Sequence, residues 1–151
     1  MRRFPLQNVH DLSRNRADAA ARRLHQLKAQ WQAAENRLEE LRRFRREYEE
    51  RLRQSTGRGM GMHQMRDFHA FLAKLDHAIS SQDAEVARCR GEWDKGRQHW
   101  QEQRRQLSAY DALAKRHLER ETRRDNLREQ RNLDELATRS FLYRRAEEKN
   151  K

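Results

Sequence analysis

The strongest constraint on the fold of this chain is a glycine-rich segment, Thr56-Gly57-Arg58-Gly59-Met60-Gly61, which interrupts an otherwise helix-forming sequence. Three of the five glycines fall within these six residues, and the one proline is Pro5. Because a glycine in a helix interior costs about 1 kcal/mol relative to alanine, three of them together predict the end of a helix. The sequence therefore predicts two long helices joined by a single turn.

Both segments that flank the glycines carry apolar residues at alternating spacings of three and four. The first seam runs from Ala17 to Leu52 with one charged member, Arg45, and the second runs from Met65 to Tyr110. Three residues extend the first seam upstream more weakly: Ser13, His10 and Leu6. A repeat of this length is typical of a left-handed coiled coil.

These patterns predict an all-α fold, a long antiparallel two-helix coiled-coil hairpin with a glycine-rich turn at 56–61 and a C-terminal helical overhang. We expect residues 1–151 to form this single hairpin, with its parts as follows: arm one at about 6–54, the turn at 55–62, arm two at about 63–114 and a basic overhang at 115–151. Seven apolar residues of the overhang have no partner in the predicted hairpin: Leu118, Leu127, Leu133, Leu136, Phe141, Leu142 and Tyr143. This basic helix is either frayed or available to another protein.

The register of the hairpin follows from its turn, because folding there pairs residues whose numbers sum to about 117–120. At a sum of about 120, Leu24 faces Gly96 and Ala34 faces Val86, so that large seam residues meet small ones. Trp100 likewise faces Ala20. The alternative is a structural homodimer of parallel coiled coils, and it would stack each large seam residue on its own copy. We therefore expect a monomer.

Composition narrows the function further. Charged residues make up 39% of the chain and hydrophobic residues 34%, which suits a narrow two-helix seam better than a thick globular core. The single cysteine, Cys89, is consistent with a reducing compartment and reads as a small buried seam residue. No apolar run approaches the ~20 residues of a membrane span, so we expect a cytoplasmic protein.

No residue pattern predicts an enzyme. The seven histidines are scattered without an i, i+4 pair, whereas a metal site needs ligands that converge on one point. The glycine segment lacks the Gly-Lys-Ser/Thr ending of a phosphate loop. We therefore expect no catalytic, cofactor-binding or metal-binding residues, no cofactor and no small-molecule substrate.

Positive charge is concentrated at the two chain ends, which hold +9 of the net charge of +11 within residues 1–30 and 115–151. A hairpin brings these ends to the same pole. The basic pole comprises nine arginines: Arg2, Arg3, Arg14, Arg16, Arg120, Arg123, Arg124, Arg128 and Arg131. An RNA-binding helical arm is an alternative function for such a surface, with strongly salt-dependent binding. Nucleic acid is disfavoured, because the off-seam aromatic residues lie at the turn.

A second surface lies near the turn, where Phe44 and Phe71 occupy flanking positions that are normally polar in a coiled coil. An exposed apolar patch of this kind suggests a docking site. With adjacent residues, the predicted docking patch comprises Leu41, Phe44, Tyr48, Phe71, Leu75 and Ala78. The simpler alternative is that Phe44 only compensates for the charged seam residue Arg45.

The order of several motifs resembles a known family. They are Phe4-Pro5-Leu6-Gln7, the alanine-rich run 17–22, Leu41-Arg42-Arg43-Phe44-Arg45-Arg46-Glu47-Tyr48, the run 68–79 after the turn, and the ending 128–137. In their order and in their spacing about the turn, they make the whole chain similar to the FliJ family. This family provides the coiled-coil stalk and export-chaperone component of the bacterial flagellar type III protein export apparatus.

The resemblance implies a non-enzymatic stalk similar to the gamma subunit of rotary ATP synthases. Its implied partners are the hexameric export ATPase FliI, the membrane export-gate protein FlhA and export chaperones. The family's gate-binding surface maps onto the docking patch, with Arg37 and Gln82 as two departures from the family pattern. The basic pole would face the ATPase, and the protein would be peripherally associated with the inner membrane.

Overall fold

The computed structural model describes residues 2–150, which form two α-helices separated by residues 58–61. Helix α1 spans Gln7–Gly57 and helix α2 spans Met62–Lys149, with 51 and 88 residues. No strand is present in this described part of the chain. Side-chain contacts join α1 to α2 in antiparallel order, which confirms the predicted all-α helical hairpin.

The turn lies within the glycine-rich segment. Gly59 has a φ of 85°, a left-handed conformation that residues with a Cβ rarely adopt. Its N–H donates to the carbonyl of Thr56 at 3.2 Å, and the N–H of Arg58 donates to Ser55 at 3.3 Å. Helix α2 then starts with a hydrogen bond from the Met65 N–H to the Gly61 carbonyl at 3.1 Å. The chain reverses where glycine makes this conformation accessible.

Contacts divide the chain into two units, and the first comprises residues 17–103. In this turn-containing unit, every predicted seam position is buried or half-buried. The buried hydrophobic core consists of eight small or branched side chains: Ala17, Ala20, Leu27, Ala34, Leu38, Leu72, Leu75 and Cys89. Burial at these positions confirms the predicted seam of this unit, including Cys89 as a small buried residue.

Cross-helix contacts also report the register. The Gln82 side chain donates to the Ala34 carbonyl at 3.0 Å, and Arg45 pairs with Asp76, so residue numbers sum to values near the expected 120. Gly96 lies against α1 as predicted, although a Cβ built there would be nearer to Leu27 Cδ1 (2.5 Å) than to Leu24 Cδ1 (3.7 Å).

One consequence of the expected large-against-small pairing is wrong. Trp31 and Trp93 face one another, with ring centroids 5.2 Å apart and planes tilted by 37°. At a sum of about 120 the direct neighbours are Cys89 for Trp31 and Leu27 for Trp93, and the indole rings are long enough to meet across adjacent layers of the seam. Both remain half-buried rather than fully enclosed.

The second unit contains residues 2–16 together with residues 104–150. Within it, His10 and Ser13 are buried, but Leu6 is 41% exposed, so the expectation that Leu6 extends the seam is wrong. Leu6 precedes the first helical residue, and Phe4 packs instead, with its ring 6.2 Å from His10 and 5.5 Å from His117.

Beyond these contacts, the side chains of residues 126–150 are exposed. All seven apolar overhang residues named from the sequence, from Leu118 to Tyr143, are more than half exposed. Neither helix, over the residues described, has a stretch apolar and long enough to cross a bilayer. The last part of α2 therefore presents an apolar and basic surface without a cover from this chain.

Candidate functional site

Three aromatic side chains of the predicted docking patch form a cluster across the two helices, here called the aromatic cluster: Phe44, Tyr48 and Phe71. The Phe44 ring meets Phe71 nearly edge-on, with centroids 6.2 Å apart, and Tyr48 lies 4.6 Å from Phe71. Phe44 and Tyr48 are 6.5 Å apart on adjacent turns of α1. The hairpin thus brings together aromatic residues that are distant in sequence, at the separations that aromatic pairs favour.

Exposure differs among the six patch residues. Phe44 is 46% exposed and Phe71 36%, whereas Leu75 is buried and supports them from the seam. Leu41 and Ala78 are half-buried at the margins. The patch therefore offers two phenylalanine rings as its main apolar surface.

A fourth aromatic residue was not among the predicted patch residues. Phe68 lies 5.0 Å from Tyr48 and is half-buried. Its seam spacing marks it as a core residue, and part of its ring is nevertheless accessible. The sequence signal that could have added Phe68 to the patch was its position near the turn, three residues before Phe71.

The charged seam residue Arg45 has its own partners. Its guanidinium donates to Asp76 across the hairpin and to Glu49 Oε2 at 3.1 Å on the same helix. The hydrogen bond to Asp76 raises the pKa of Arg45 above its usual value. Arg45 therefore remains charged and is satisfied without any contact from Phe44.

A groove runs along α1 from the patch. Phe44 and Leu41 line it at one end, with Arg37 and Ala33 further along, and this groove, open to solvent, has a volume of about 790 Å³. A smaller groove of about 340 Å³ shares Ala33 and Arg37 and reaches Cys89 on α2. Arg37, which was expected to depart from the family pattern, thus lines the surface next to the patch.

Gln82, the other residue expected to depart from the family pattern, faces inward, and its side chain donates to the Ala34 carbonyl.

The Cys89 thiol lies in the seam. Burial, with the nearby Glu85, raises the pKa of this thiol. Arg88 donates to Glu85 at 2.6 Å and lowers the pKa of that carboxyl. A protonated, buried thiol is a packing residue rather than a nucleophile.

The nine arginines of the basic pole all belong to the second unit, and all are exposed. The backbone N–H of Arg2 donates to Glu121 at 3.4 Å, and Arg124 pairs with the same carboxylate at 3.5 Å. Arg14 approaches Asp11 at 4.0 Å and lies on α1. Because His10 is level with Asp111, Arg14 lies roughly 40 Å along the hairpin from Arg131 at 1.5 Å per residue. The nine arginines of the basic pole therefore form a stripe rather than a compact cluster, and we call them the basic stripe.

Glu121 holds the N-terminal segment against α2. Glu121 is 6% exposed, its carboxylate accepts from the Arg2 backbone N–H, and the His117 ring donates to the Arg2 carbonyl at 2.9 Å. The hydrogen bond from the Arg2 backbone, with the charge of Arg124, lowers the pKa of Glu121. Sequence reasoning missed this residue, because one glutamate among eight acidic residues of the C-terminal segment carries no distinguishing signal.

Within residues 2–150, no group of three or more histidine, cysteine, aspartate or glutamate side chains could hold a metal ion. What the described geometry offers is contact surface: an aromatic cluster near the turn and a basic stripe in the second unit.

Comparison with known proteins identifies the family. A family model described as "Flagellar FliJ protein" matches residues 1–146. The chain belongs to the FliJ family. The Flagellar FliJ protein of Salmonella typhi is 26% identical over 137 residues, or 91% of this chain and 93% of the relative. The Flagellar FliJ protein of Escherichia coli strain K12 is 24% identical over 137 residues, again 91% of this chain and 93% of the relative. No solved structure matches the chain.

FliJ membership confirms the resemblance seen in the sequence motifs and makes the chain a component of the flagellar protein export apparatus. The match covers α1, the turn and α2 up to residue 146, so the aromatic cluster and the basic stripe both lie within the family region.

Proposed function

We propose that this FliJ-family protein is a non-enzymatic stalk that links the hexameric export ATPase to the membrane export gate and assists export chaperones. In this function the docking patch contacts the FlhA-like gate protein, and the basic stripe contacts the FliI-like ATPase. The protein acts as a monomer in the cytoplasm, peripherally associated with the inner membrane at the export apparatus.

The observation that carries the gate contact is the exposure of the aromatic cluster. Phe44 and Phe71 lie off the seam and are 46% and 36% exposed, so their rings present apolar area to water unless a partner covers them. The alternative role of Phe44, compensation for Arg45, is weakened because Asp76 and Glu49 already satisfy that guanidinium. Aromatic residues in a partly buried cluster are frequent hot spots of protein interfaces.

The ATPase contact is supported by charge. The basic stripe is exposed along its length, and its arginines outnumber the nearby carboxylates that pair with them. A surface of one sign accelerates association with an oppositely charged partner and orients the encounter. The uncovered apolar residues of the last part of α2 would then be buried in the same contact.

The gate contact is tested with the full-length chain and the purified cytoplasmic part of the gate protein from the same organism. We expect Phe44→Ala/Phe71→Ala to weaken binding by about tenfold or more, the usual effect of truncating two hot-spot aromatics. The matched control is Phe141→Ala/Tyr143→Ala, which removes two exposed rings from the overhang. Equal affinity of both variants would contradict a gate contact at the aromatic cluster.

The ATPase contact is tested with the purified hexamer and Arg120→Gln/Arg123→Gln/Arg128→Gln. We expect this variant to bind more weakly, and to lose part of the salt dependence of binding, while retaining the gate protein. If both the aromatic and the arginine variants kept every partner, the two-surface stalk would be wrong. Light scattering of the wild type checks the expected monomer.

A further inference from the structure

A third surface, distinct from the aromatic cluster and the basic stripe, surrounds the facing tryptophans of the turn-containing unit. The Lys28 ammonium lies 4.4 Å from the Trp31 ring centroid and 5.1 Å from that of Trp93. The Arg90 guanidinium lies 5.9 Å from Trp31, and that of Arg97 lies 5.2 Å from Trp93. Three cations therefore converge on one pair of indole rings, which we call the Trp–cation cluster.

The three cations share one flank of the hairpin. Each directly follows the seam residue that ends a spacing of three (Leu27, Cys89 and Gly96), whereas Phe44 and Phe71 directly precede a seam residue that begins one. These two flanking positions line opposite sides of an antiparallel two-helix coiled coil, so the Trp–cation cluster lies on the flank opposite to the aromatic cluster.

Over the described residues 2–150, no salt bridge involves Lys28, Arg90 or Arg97, and all three side chains are exposed. By contrast, Arg88 pairs with Glu85 and Lys95 approaches Glu92. Other exposed cations of the unit, such as Arg22 and Arg66, also have no salt bridge over the same residues, so what sets the three cations apart is their position over the two indole rings. Positive charge at this surface is thus available to an external anion.

The indole rings hold the cations in place. A cation over an aromatic face is attracted to the ring, which restricts an otherwise flexible side chain. Binding an anion then costs less ordering entropy than at a freely moving lysine or arginine. Arg90 and Arg97 are one heptad apart, or about 10.5 Å along the helix.

The geometry disfavours a nucleic acid or a lipid surface as the occupant. The Trp31 and Trp93 rings are half-buried and face one another at 5.2 Å, with cations over them, so a nucleobase has no open ring on which to stack. The same enclosure prevents the rings from inserting into a membrane interface. Spaced carboxylates need only the outward-facing cations.

We propose that the Trp–cation cluster is a docking site for an acidic segment of a partner protein. Carboxylates about 10 Å apart, as on a helix with acidic residues seven positions apart, bind Arg90 and Arg97, and Lys28 completes the site between them. This site is independent of the proposed gate and ATPase contacts.

The test uses the full-length protein and a fluorescein-labelled helical peptide with glutamates seven residues apart on one face. Anisotropy is measured for the wild type, for Lys28→Gln/Arg90→Gln/Arg97→Gln, and for the matched control Arg22→Gln/Arg66→Gln/Lys74→Gln. The control removes the same charge from exposed cations elsewhere in the unit. A peptide with glutamine in place of glutamate measures binding that does not require carboxylates.

We expect the cluster variant to bind the acidic peptide about tenfold more weakly than the wild type, and the control to stay within about twofold of it. Equal weakening of the two variants would show general charge attraction and overturn the proposal. So would absence of peptide binding, or binding of labelled oligouridine or anionic vesicles that depends on the cluster while peptide binding does not. Circular dichroism of both variants checks that their helices are intact.

Discussion

Gly96 on α2 lies directly against Leu27 on α1, so that a Cβ added at position 96 would be 2.5 Å from Leu27 Cδ1. Leu27 is 5% exposed and has little space into which it can turn. Replacing a glycine inside a helix by alanine normally raises the free energy of unfolding by about 1 kcal/mol. We expect the cost of moving Leu27 to cancel this gain in Gly96→Ala.

Gly91 provides the matched control, because it is also helical and nothing lies within 4 Å of a Cβ built there. We expect Gly91→Ala to raise the free energy of unfolding by about 0.5–1 kcal/mol, and Gly96→Leu to lower it by about 1–3 kcal/mol through overpacking. Urea denaturation followed by circular dichroism measures all three. Equal stabilisation by alanine at both positions would show that the helices do not approach closely at Gly96.

Arg45 occupies a seam position where the repeat calls for an apolar residue. Its partner Asp76 is more than half exposed, so this carboxylate returns to water without penalty when the arginine is removed. We expect Arg45→Leu to raise the melting temperature, because leucine fills the seam and removes the cost of taking the guanidinium charge partly out of water. Arg46→Leu, at an exposed position paired with Glu39, is the control and should give no such increase. A lower melting temperature for Arg45→Leu would mean that the Asp76 contact holds the helices together.

Much of the turn-containing unit could be predicted from the sequence, because a coiled coil repeats one local rule. Spacings of three and four marked Leu27, Leu38 and Cys89 as seam residues, and all are buried. Three glycines within six residues marked the turn, and Gly59 has the left-handed backbone that terminates the arm. Periodicity fixes which face is buried wherever both arms continue without interruption.

Details that depend on side-chain length were less predictable. The expected register put Cys89 beside Trp31 and Leu27 beside Trp93, but indole rings span more than one layer and meet each other. The contact of Arg2 with Glu121 escaped prediction because it forms outside the repeat, through a backbone N–H. The aromatic cluster was proposed from flank positions; its rings do meet, but what binds them depends on a partner's surface.

The lowered pKa of Glu121 predicts a pH dependence of stability. A carboxyl whose pKa is lower in the folded chain than its usual 4.5 stabilises the fold fully above that value, and the contribution is lost as pH falls through the lowered pKa. We expect Glu121→Gln to melt at a lower temperature than the wild type at pH 7, with the difference disappearing well below pH 4.5. Thermal denaturation of both proteins across this range measures it. Glu119→Gln, at an exposed neighbouring position, should show no difference; a constant deficit of Glu121→Gln at every pH would exclude the charge as the cause.

The overhang offers a test of where stabilising contacts end. Residues 126–150 are exposed throughout, whereas residues 115–125 include His117 and Glu121, which hold the N-terminal segment. We therefore expect a chain that ends at Asp125 to keep the wild-type melting temperature and to lose only helical signal. A chain that ends at Ala114 should melt at a lower temperature, because Phe4 and Arg2 lose their partners. Circular dichroism melts of the two truncations decide between these outcomes: equal melting temperatures would show that the N-terminal contact contributes no stability, and destabilisation by the shorter deletion would show that residues 126–150 pack against the chain.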